Sequence, residues 1–171
     1  MRDTPNFDDA KFALKLYELR RESELRKARN MIGEVLDGAP WDAVERVMQW
    51  GHKENAHFRQ ATSYWEMVAS FVNRGIFHPD VYLDTCGEGL YMFSVLKPHI
   101  EKIRATSGPR FLLQTERLVK ENPSCAERVA LIDKARTDWF AKEAADAAAK
   151  KSSKAKSLAP KAAKKPAKAK A

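Results

Sequence analysis

The chain has 171 residues, and its 31 Lys and Arg residues against 23 Asp and Glu residues give a formal net charge of +8 at pH 7. No apolar run approaches the roughly 20 residues that a membrane-spanning helix needs, and the N-terminal residues lack the apolar stretch of a secretory signal. We therefore expect no membrane span and a cytoplasmic location. The two cysteines, Cys86 and Cys125, lack the spacing of metal ligands, and no pattern indicates a cofactor.

The charge is distributed unevenly between two regions. Residues 147–171 contain nine lysines and no acidic residue, whereas residues 1–146 contain 22 basic and 23 acidic residues. A length of 146 residues is close to the commonest domain size and allows one hydrophobic core. The sequence therefore predicts a helical domain over residues 1–146 and a separate tail over residues 147–171.

Residues 6–36 are rich in helix-forming side chains and predict the first long helix. Leu25, Ala28, Ile32 and Val35 fall on one face of this helix, while the segment RRESEL in its middle interrupts the apolar stripe. The helix either leaves the core at this segment or twists past it. An Asp-Gly-Ala-Pro sequence then predicts a break before a short helix that ends near Gly51.

The strongest amphipathic pattern lies at residues 57–72, where apolar side chains recur at spacings of three and four. This spacing predicts the central helix of the domain. Gly75 predicts the C-terminal cap of that helix, because glycine adopts the left-handed conformation that many caps require. The residues of the predicted face are His57, Ala61, Tyr64, Trp65, Val68, Phe71 and Val72.

The remaining residues of the domain also predict helices. A short helix begins at Pro79, and residues 87–104 form a helix with a kink or restart at Pro98. Another helix ends at Asn122, and Ser124 begins the last helix in a capping-box sequence. No segment has the alternation of a strand, and the four tryptophans are assigned to the core. The predicted fold class is all-α, an irregular bundle of about six or seven helices with a disordered basic C-terminal tail.

Residues 63–104 resemble the central part of a family of short bacterial all-helical proteins that is known only as a domain of unknown function. The resemblance rests on an aromatic and acidic helix, a glycine turn, an acid before a Gly-Glu pair, and a Leu-x-Pro-x-Ile-x-x-x-Arg ending. It extends over about residues 9–118, implies an all-helical fold and supplies no activity. The matching residues are Trp65, Glu66, Gly75, Asp84, Gly87, Glu88, Leu96, Pro98, Ile100 and Arg104.

Three carboxylates, Glu66, Asp84 and Glu88, lie in or beside the most apolar part of the chain. A buried carboxylate must be neutral or partnered, because leaving one unpaired costs several kcal/mol. Arg59, Arg74 and Arg104 are candidate counter-charges, since a guanidinium group matches a carboxylate well. The pattern predicts a buried ion-pair network that fixes helix packing. The alternative is a small-ligand pocket or a carboxylate active site.

Other chemical patterns are incomplete. Glu54 and His57 have the Glu-x-x-His spacing of di-iron bundles, but the chain has no second copy of that motif, so no metal site is predicted. The chain has no Walker motif, dinucleotide fingerprint or Ser-His-Asp order. These absences favour a non-enzymatic protein without excluding an enzyme.

The tail has the composition of a polyanion-binding segment. Its lysines are separated by alanine and proline, which resembles the tails of linker histones and bacterial histone-like proteins. Such a segment buries too little apolar surface to fold alone, and its charges favour nucleic acid or another polyanion as the partner. The candidate nucleic-acid-binding residues are Lys150, Lys151, Lys154, Lys156, Lys161, Lys164, Lys165, Lys168 and Lys170.

Two functions are consistent with these patterns. The leading hypothesis is a non-enzymatic helical interaction module that the tail tethers to nucleic acid without sequence specificity, with a possible protein partner for the helical domain. The alternative is a helical enzyme or small-ligand-binding domain that uses Glu66, Asp84 and Glu88, with an incidental tail. The first predicts that binding depends on residues 147–171, and the second predicts a pocket where the carboxylates converge.

Overall fold

The computed structural model of the protein describes residues 3–158, with side chains described for residues 3–150. The described residues are helices joined by turns and short loops, without a strand, which confirms the all-α class. They form two units, of which the first ends at Lys134 and the second begins at Ala135. Among residues 3–158, none of the helices combines the length and apolar character that crossing a membrane would require.

The helices are shorter than the sequence predicts, because two predicted helices are each divided. Residues 32–36 form a π-helical turn after α2, and residues 97–99 form a 3₁₀ turn before α7. The helices are α1 Phe7–Arg20, α2 Ser23–Met31, α3 Trp41–Met48, α4 Asn55–Asn73, α5 Pro79–Thr85, α6 Glu88–Leu96, α7 Ile100–Ser107, α8 Leu113–Glu121 and α9 Pro123–Leu158.

Helix α4 is the centre of the first unit, as predicted, and it contacts α2, α3, α6 and α8. Trp65 and Val68 of the predicted apolar face are buried, while His57 and Phe71 at its margins are half-buried. Gly75 ends the helix with a positive φ of 69° and donates its amide hydrogen to the carbonyl oxygen of Val72. The predicted glycine cap is therefore confirmed.

The predicted first helix is broken between Arg20 and Ser23. The Glu22 carboxylate accepts hydrogen bonds from the backbone amides of Glu24 at 3.0 Å and Leu25 at 2.8 Å. These amide donors lower the pKa of Glu22 and give α2 its own N-terminal cap. The interruption of the apolar stripe in this segment therefore marks the end of one helix and the start of another.

The π-helical turn changes which residue of its segment is buried. Leu25, Ala28 and Ile32 lie in the core as predicted, but Val35 is 41% exposed and Leu36 is 1% exposed. A π-helical turn contains more residues than an α-helical turn, so it rotates the following side chains relative to the predicted face. The prediction for Val35 was wrong for this reason.

One further prediction differs from the structure near the C-terminus. The α9 cap is Asn122, whose Oδ1 accepts from the backbone amide of Cys125 at 3.1 Å, and the predicted capping box at Ser124 is wrong. Helix α9 is described to Leu158. The predicted domain boundary at residue 146 therefore lies within a helix. Residues 159–171 of the predicted tail lie outside the described part of the chain.

Glycine at position 89 allows α6 to approach α4 and α5 closely. A Cβ atom at Gly89 would lie 2.8 Å from the Tyr82 hydroxyl oxygen and 3.0 Å from a ring carbon of Trp65. Both aromatic side chains are buried, so neither can move without disturbing the core. At Gly87, by contrast, a Cβ atom would meet nothing within 4 Å.

Candidate nucleic-acid interface and carboxylate residues

The first lysines of the predicted nucleic-acid interface belong to α9. Lys150, Lys151, Lys154 and Lys156 all lie between Pro123 and Leu158, within this helix. At about 1.5 Å per residue, the helix spaces them over roughly 9 Å of its axis. The other candidate lysines, Lys161, Lys164, Lys165, Lys168 and Lys170, lie outside the described residues.

Glu66 binds the N-terminal end of α8. Its carboxylate accepts hydrogen bonds from the backbone amides of Gln114 at 2.6 Å and Thr115 at 3.0 Å, and from the Thr115 hydroxyl at 2.8 Å. Leu112 at the N-cap position has a positive φ of 49° and provides no side-chain cap. Glu66 of α4 therefore supplies from another helix the acceptor that the first turn of α8 needs.

Glu88, at the start of α6, pairs with an arginine that the sequence analysis did not select. The Arg29 guanidinium on α2 donates to both carboxylate oxygens of Glu88. Arg20 of α1 lies 4.0 Å from the same carboxylate and donates to the carbonyl oxygen of Thr85 at 3.2 Å. Glu88 thus connects the ends of α1, α2 and α6, because a bidentate pair fixes both direction and distance.

The remaining residues of the predicted network have other surroundings. Asp84 is exposed on α5. Arg59 donates to Asn55 Oδ1 at 3.0 Å and lies 4.5 Å from the centre of the Trp50 ring. Neither side chain contacts the carboxylate of Glu66 or Glu88 among the described residues, so neither has the role predicted for it.

Arg104 binds a carboxylate outside the predicted set. Its guanidinium donates to Glu116 Oε2 at 2.9 Å and to the carbonyl oxygen of Phe111 at 3.0 Å. Hydrogen bonds from Lys120 and Arg104 outweigh the effect of burial and lower the pKa of Glu116. This cluster holds α7 against α8.

The structure does not bring Glu66, Asp84, Glu88, Arg59 and Arg104 together as one network. The Glu66 carboxylate contacts the start of α8, the Glu88 carboxylate lies at the junction with α2, and Asp84 faces solvent. Two of the three carboxylates have a structural partner of their own. The sequence identified charged residues that contribute to packing, but it paired them wrongly because each pairing depends on how the helices are arranged.

A cleft that the sequence analysis missed lies between the α3–α4 region and the α7–α8 region. Its volume is about 1060 Å³, and Trp50 at its edge is 82% exposed. Phe58 and Phe111 in its wall stack with their ring centres 5.9 Å apart. The lining side chains that carry charge are Glu45, Arg59, Glu66 and Arg110.

The exposure of Trp50 corrects the assignment of all four tryptophans to the core. Trp65 is buried, but Trp50 is 82% exposed and Trp139 is 54% exposed. Trp50 precedes Gly51 and follows the last residues of α3, outside any amphipathic repeat. That position next to a helix end is the signal that distinguishes Trp50 from the tryptophans of a helical face.

The two cysteines are buried, and His57 contacts Glu54. Burial raises the pKa of the Cys86 thiol and raises the pKa of the Cys125 thiol to about 11, which keeps both thiols protonated at neutral pH. Glu54 and His57 hydrogen-bond to each other at 2.9 Å. The described residues include no group of three or more His, Cys, Asp or Glu side chains arranged to hold a metal ion.

The fold and these contacts define a class: an all-helical protein in which half-buried carboxylates join helices. A family model for a domain of unknown function, DUF4760, matches residues 7–121, and the chain belongs to this family. The matched region includes Glu66, Asp84, Glu88, Arg59 and Arg104, and it ends before α9. No curated protein and no solved structure matches the chain.

Proposed function

We propose that the protein is a non-enzymatic helical interaction module that is tethered to nucleic acid by its lysine-rich residues 147–171. The observation that carries the proposal is the distribution of charge. Residues 147–171 contain nine lysines and no acidic residue, whereas residues 1–146 are nearly neutral. The proposal includes a bacterial cytoplasmic location, where nucleic acid is abundant, in keeping with the resemblance to a bacterial family.

The contacts of the helical domain support a non-enzymatic function. A carboxylate that acts as an acid or base needs to reach a substrate, and it commonly shares a pocket with other polar groups. Glu66 instead accepts three hydrogen bonds from α8, and Glu88 is held by Arg29. These acids are engaged in helix packing.

The proposed contact with nucleic acid is electrostatic. Lysine ammonium groups neutralise phosphates and release counterions, so the affinity falls steeply as the salt concentration rises. If about five to eight lysines bind phosphates at once, the slope of log affinity against log salt concentration is roughly −4 to −7. Residues 147–171 contain no arginine and no aromatic residue, so we expect no discrimination between base sequences.

The test is fluorescence anisotropy of a labelled random-sequence duplex, titrated with protein between about 50 and about 200 mM salt. We compare the full chain with a variant in which all nine lysines of residues 147–171 are replaced by glutamine. The variant is expected to bind about 10,000-fold more weakly at the lowest salt and to lose most of the salt slope.

A matched control removes the same positive charge from the first unit. Nine exposed cations of residues 3–134 are replaced by glutamine, which leaves residues 147–171 intact, and this variant is expected to keep the salt slope. Equal loss of binding in both variants would show that only net charge matters and would contradict the proposal. The control positions are Arg26, Lys27, Arg46, Lys53, Arg74, Lys102, Arg117, Arg128 and Lys134.

The cleft supports a second candidate function, the binding of a planar anionic ligand. Trp50 presents an exposed ring next to the Arg59 guanidinium, and Arg110 also lines the cleft. An aromatic ring and a nearby cation can together hold a flat group by stacking and a negative charge by electrostatic attraction. In this second function Glu66 lines the ligand site, whereas Asp84 and Glu88 take no part in ligand binding.

Adenosine monophosphate is a suitable probe for this second function, because it combines a planar base with a phosphate. We expect the nucleotide to quench tryptophan fluorescence in a saturable manner, and Trp50→Phe together with Arg59→Gln to abolish that saturation. Trp139→Phe is the control, since Trp139 lies in α9. Unchanged saturation in the Trp50 and Arg59 variant would contradict a site in this cleft.

A further inference from the structure

Helix α1 is apolar on two faces. Its inner face packs against the core through Leu16, which is 3% exposed, and through Phe12, whose ring centre lies 5.3 Å from that of Phe71 and 5.1 Å from that of Phe77. Its outer face carries Phe7 and Leu14, which are 75% and 66% exposed. A surface helix normally has a polar outer face, so the outer face of α1 has the character of a contact surface.

The outer apolar residues follow the spacing of a helix–helix contact. Phe7, Ala10, Leu14 and Tyr17, which we term the outer stripe, are separated by three, four and three positions, as in two heptads of a coiled coil. All four residues are exposed in the structure. The charged neighbours Lys11 and Lys15 are paired with Asp8 and Glu18 on the same helix, at 3.6 and 3.0 Å.

A groove lies beside the C-terminal half of the outer stripe, between α1 and α5. Its volume is about 530 Å³, and its walls include Ala13, Leu14, Tyr17 and Val81, with Arg20 as its charged residue. Phe7 is not part of this groove. The surface therefore has a projecting aromatic side chain at one end of α1 and an apolar groove at the other end.

This arrangement is complementary to itself under a two-fold rotation. In an antiparallel pair of α1 helices, position 7 of one copy lies opposite position 17 of the other, and position 10 lies opposite position 14. Each Phe7 would then lie at the groove of the other copy, as the self-complementary contact of a two-fold dimer requires. A parallel pair would instead place Phe7 against Phe7 and leave both grooves empty.

The charges at the two ends of α1 favour the same orientation. The first turn of α1 carries the exposed Asp8, and the exposed Arg21 follows its C-terminal end. An antiparallel pair brings the acidic end of one helix to the basic end of the other and also opposes the two helix dipoles. A parallel pair would bring like charges together.

We propose that the outer stripe of α1 and its adjacent groove form a homodimer interface, with the two α1 helices antiparallel. The exposed parts of the stripe, with the flanking side chains, would bury on the order of 1,000 Å² in total, which is near the lower limit for a specific interface. We therefore expect a dimer of modest affinity. This proposal is independent of nucleic-acid binding, because its test contains no nucleic acid.

The first test is sedimentation equilibrium of the full chain at loadings from about 1 to about 100 µM, a range suited to a weak interface. Leu14→Lys is compared with Leu131→Lys, because the two leucines are similarly exposed, at 66% and 61%. We expect the unmodified chain and Leu131→Lys to dimerise, and Leu14→Lys to raise the dimer dissociation constant at least about 30-fold, beyond what a typical surface change produces. A monomeric unmodified chain, or an unchanged dissociation constant for Leu14→Lys, would overturn the proposal.

The second test determines the orientation of the two helices. Chains carrying Phe7→Cys or Tyr17→Cys are incubated under mild oxidation, either separately or mixed, while the native Cys86 and Cys125 remain buried. An antiparallel pair is expected to form the disulfide-linked dimer only in the mixture, because position 7 lies opposite position 17. Cross-linking of each variant by itself would contradict the antiparallel arrangement.

Discussion

The helical domain and the C-terminal region use their charged residues in opposite ways. In the domain, acidic and basic side chains are nearly equal in number, and the half-buried ones join helices, as Glu88 joins Arg29 and Arg104 joins Glu116. From residue 147 onward the chain has nine lysines and no acidic residue.

This contrast indicates where each region can interact with a partner. Charges that are already hydrogen-bonded contribute to stability and to the arrangement of helices, and recruiting them to a ligand would break those contacts. A run of one sign of charge contributes little to a fold and attracts the opposite charge over long distances. Substitutions in the domain are therefore expected to change stability, and substitutions from residue 147 onward are expected to change nucleic-acid affinity.

The largest expected effect is a loss of duplex affinity when one of two groups of lysines in residues 147–171 is replaced. Replacing Lys150, Lys151, Lys154 and Lys156 by glutamine is expected to weaken duplex binding by about 100-fold or more and to reduce the magnitude of the salt slope by about 3. Circular dichroism in denaturant should show an unchanged unfolding midpoint for the domain. The measurement is anisotropy at several salt concentrations.

The complementary variant replaces the lysines at positions 161, 164, 165, 168 and 170. If both groups of lysines bind phosphates, this variant loses a similar part of the salt slope. If either variant keeps full duplex affinity, the lysines that it retains are sufficient for binding, and the interface is restricted to them. A lowered unfolding midpoint in either variant would contradict the separation between a binding region and a stable domain.

The next effect concerns Glu66 and the N-terminal end of α8. Glu66→Gln places an amide donor where the carboxylate accepts from two backbone amides and the buried Thr115 hydroxyl. We expect the free energy of unfolding to fall by about 2–3 kcal/mol, because buried donors lose their acceptor. Chemical denaturation measures the change.

Asp84→Asn is the matched control, since Asp84 is an exposed carboxylate. It is expected to change the free energy of unfolding by less than about 0.5 kcal/mol. Duplex affinity should remain unchanged in both variants. A change in duplex affinity on replacing Glu66, at full stability, would show that the cleft takes part in nucleic-acid binding.

A smaller effect is expected from the close contact at Gly89. Gly89→Ala would place a methyl group against the Tyr82 hydroxyl and the Trp65 ring, and we expect a loss of about 2 kcal/mol from overpacking. Gly87→Ala has open space around it and is expected to be neutral or slightly stabilising. Thermal unfolding of the two variants checks the difference, and equal melting temperatures would show that α6 can shift away.

The smallest expected effect is a loss of folding stability at alkaline pH. Burial raises the pKa of Tyr64 to about 12, and its hydroxyl donates to the Leu16 carbonyl oxygen at 2.9 Å. Burial also raises the pKa of Tyr82 well above its ordinary value. Because a tyrosine in the unfolded chain ionises near pH 10, the stability from these protonated phenols is complete below about pH 10 and falls as the pH rises toward 12.

Tyr64→Phe separates the contribution of Tyr64 to this dependence. We expect it to reduce the loss of stability at pH 11 by about 1 kcal/mol, as measured by denaturant titration at pH 8 and pH 11. If Tyr64→Phe and the unmodified chain lose the same stability between pH 8 and pH 11, ionisation of the Tyr64 phenol is not the cause of that loss.

Much of the architecture followed from the sequence by itself. The spacing of apolar residues predicted α4 as the central helix, the glycine at position 75 predicted its end, and Pro98 predicted a restart before α7. The division of charge at residue 147 is also a property of the sequence. These features could be predicted because the amphipathic pattern, turn residues and charge runs act over neighbouring positions.

The tertiary structure alone decided the pairing of side chains from different helices. The sequence contains Glu88 and Arg29, which are 59 positions apart, but no spacing rule connects them. Similarly, the start of α8 is capped by Glu66 of α4, and a π-helical turn buries Leu36 in place of Val35. Such contacts depend on where the chain brings each helix, and a local pattern carries no information about that path.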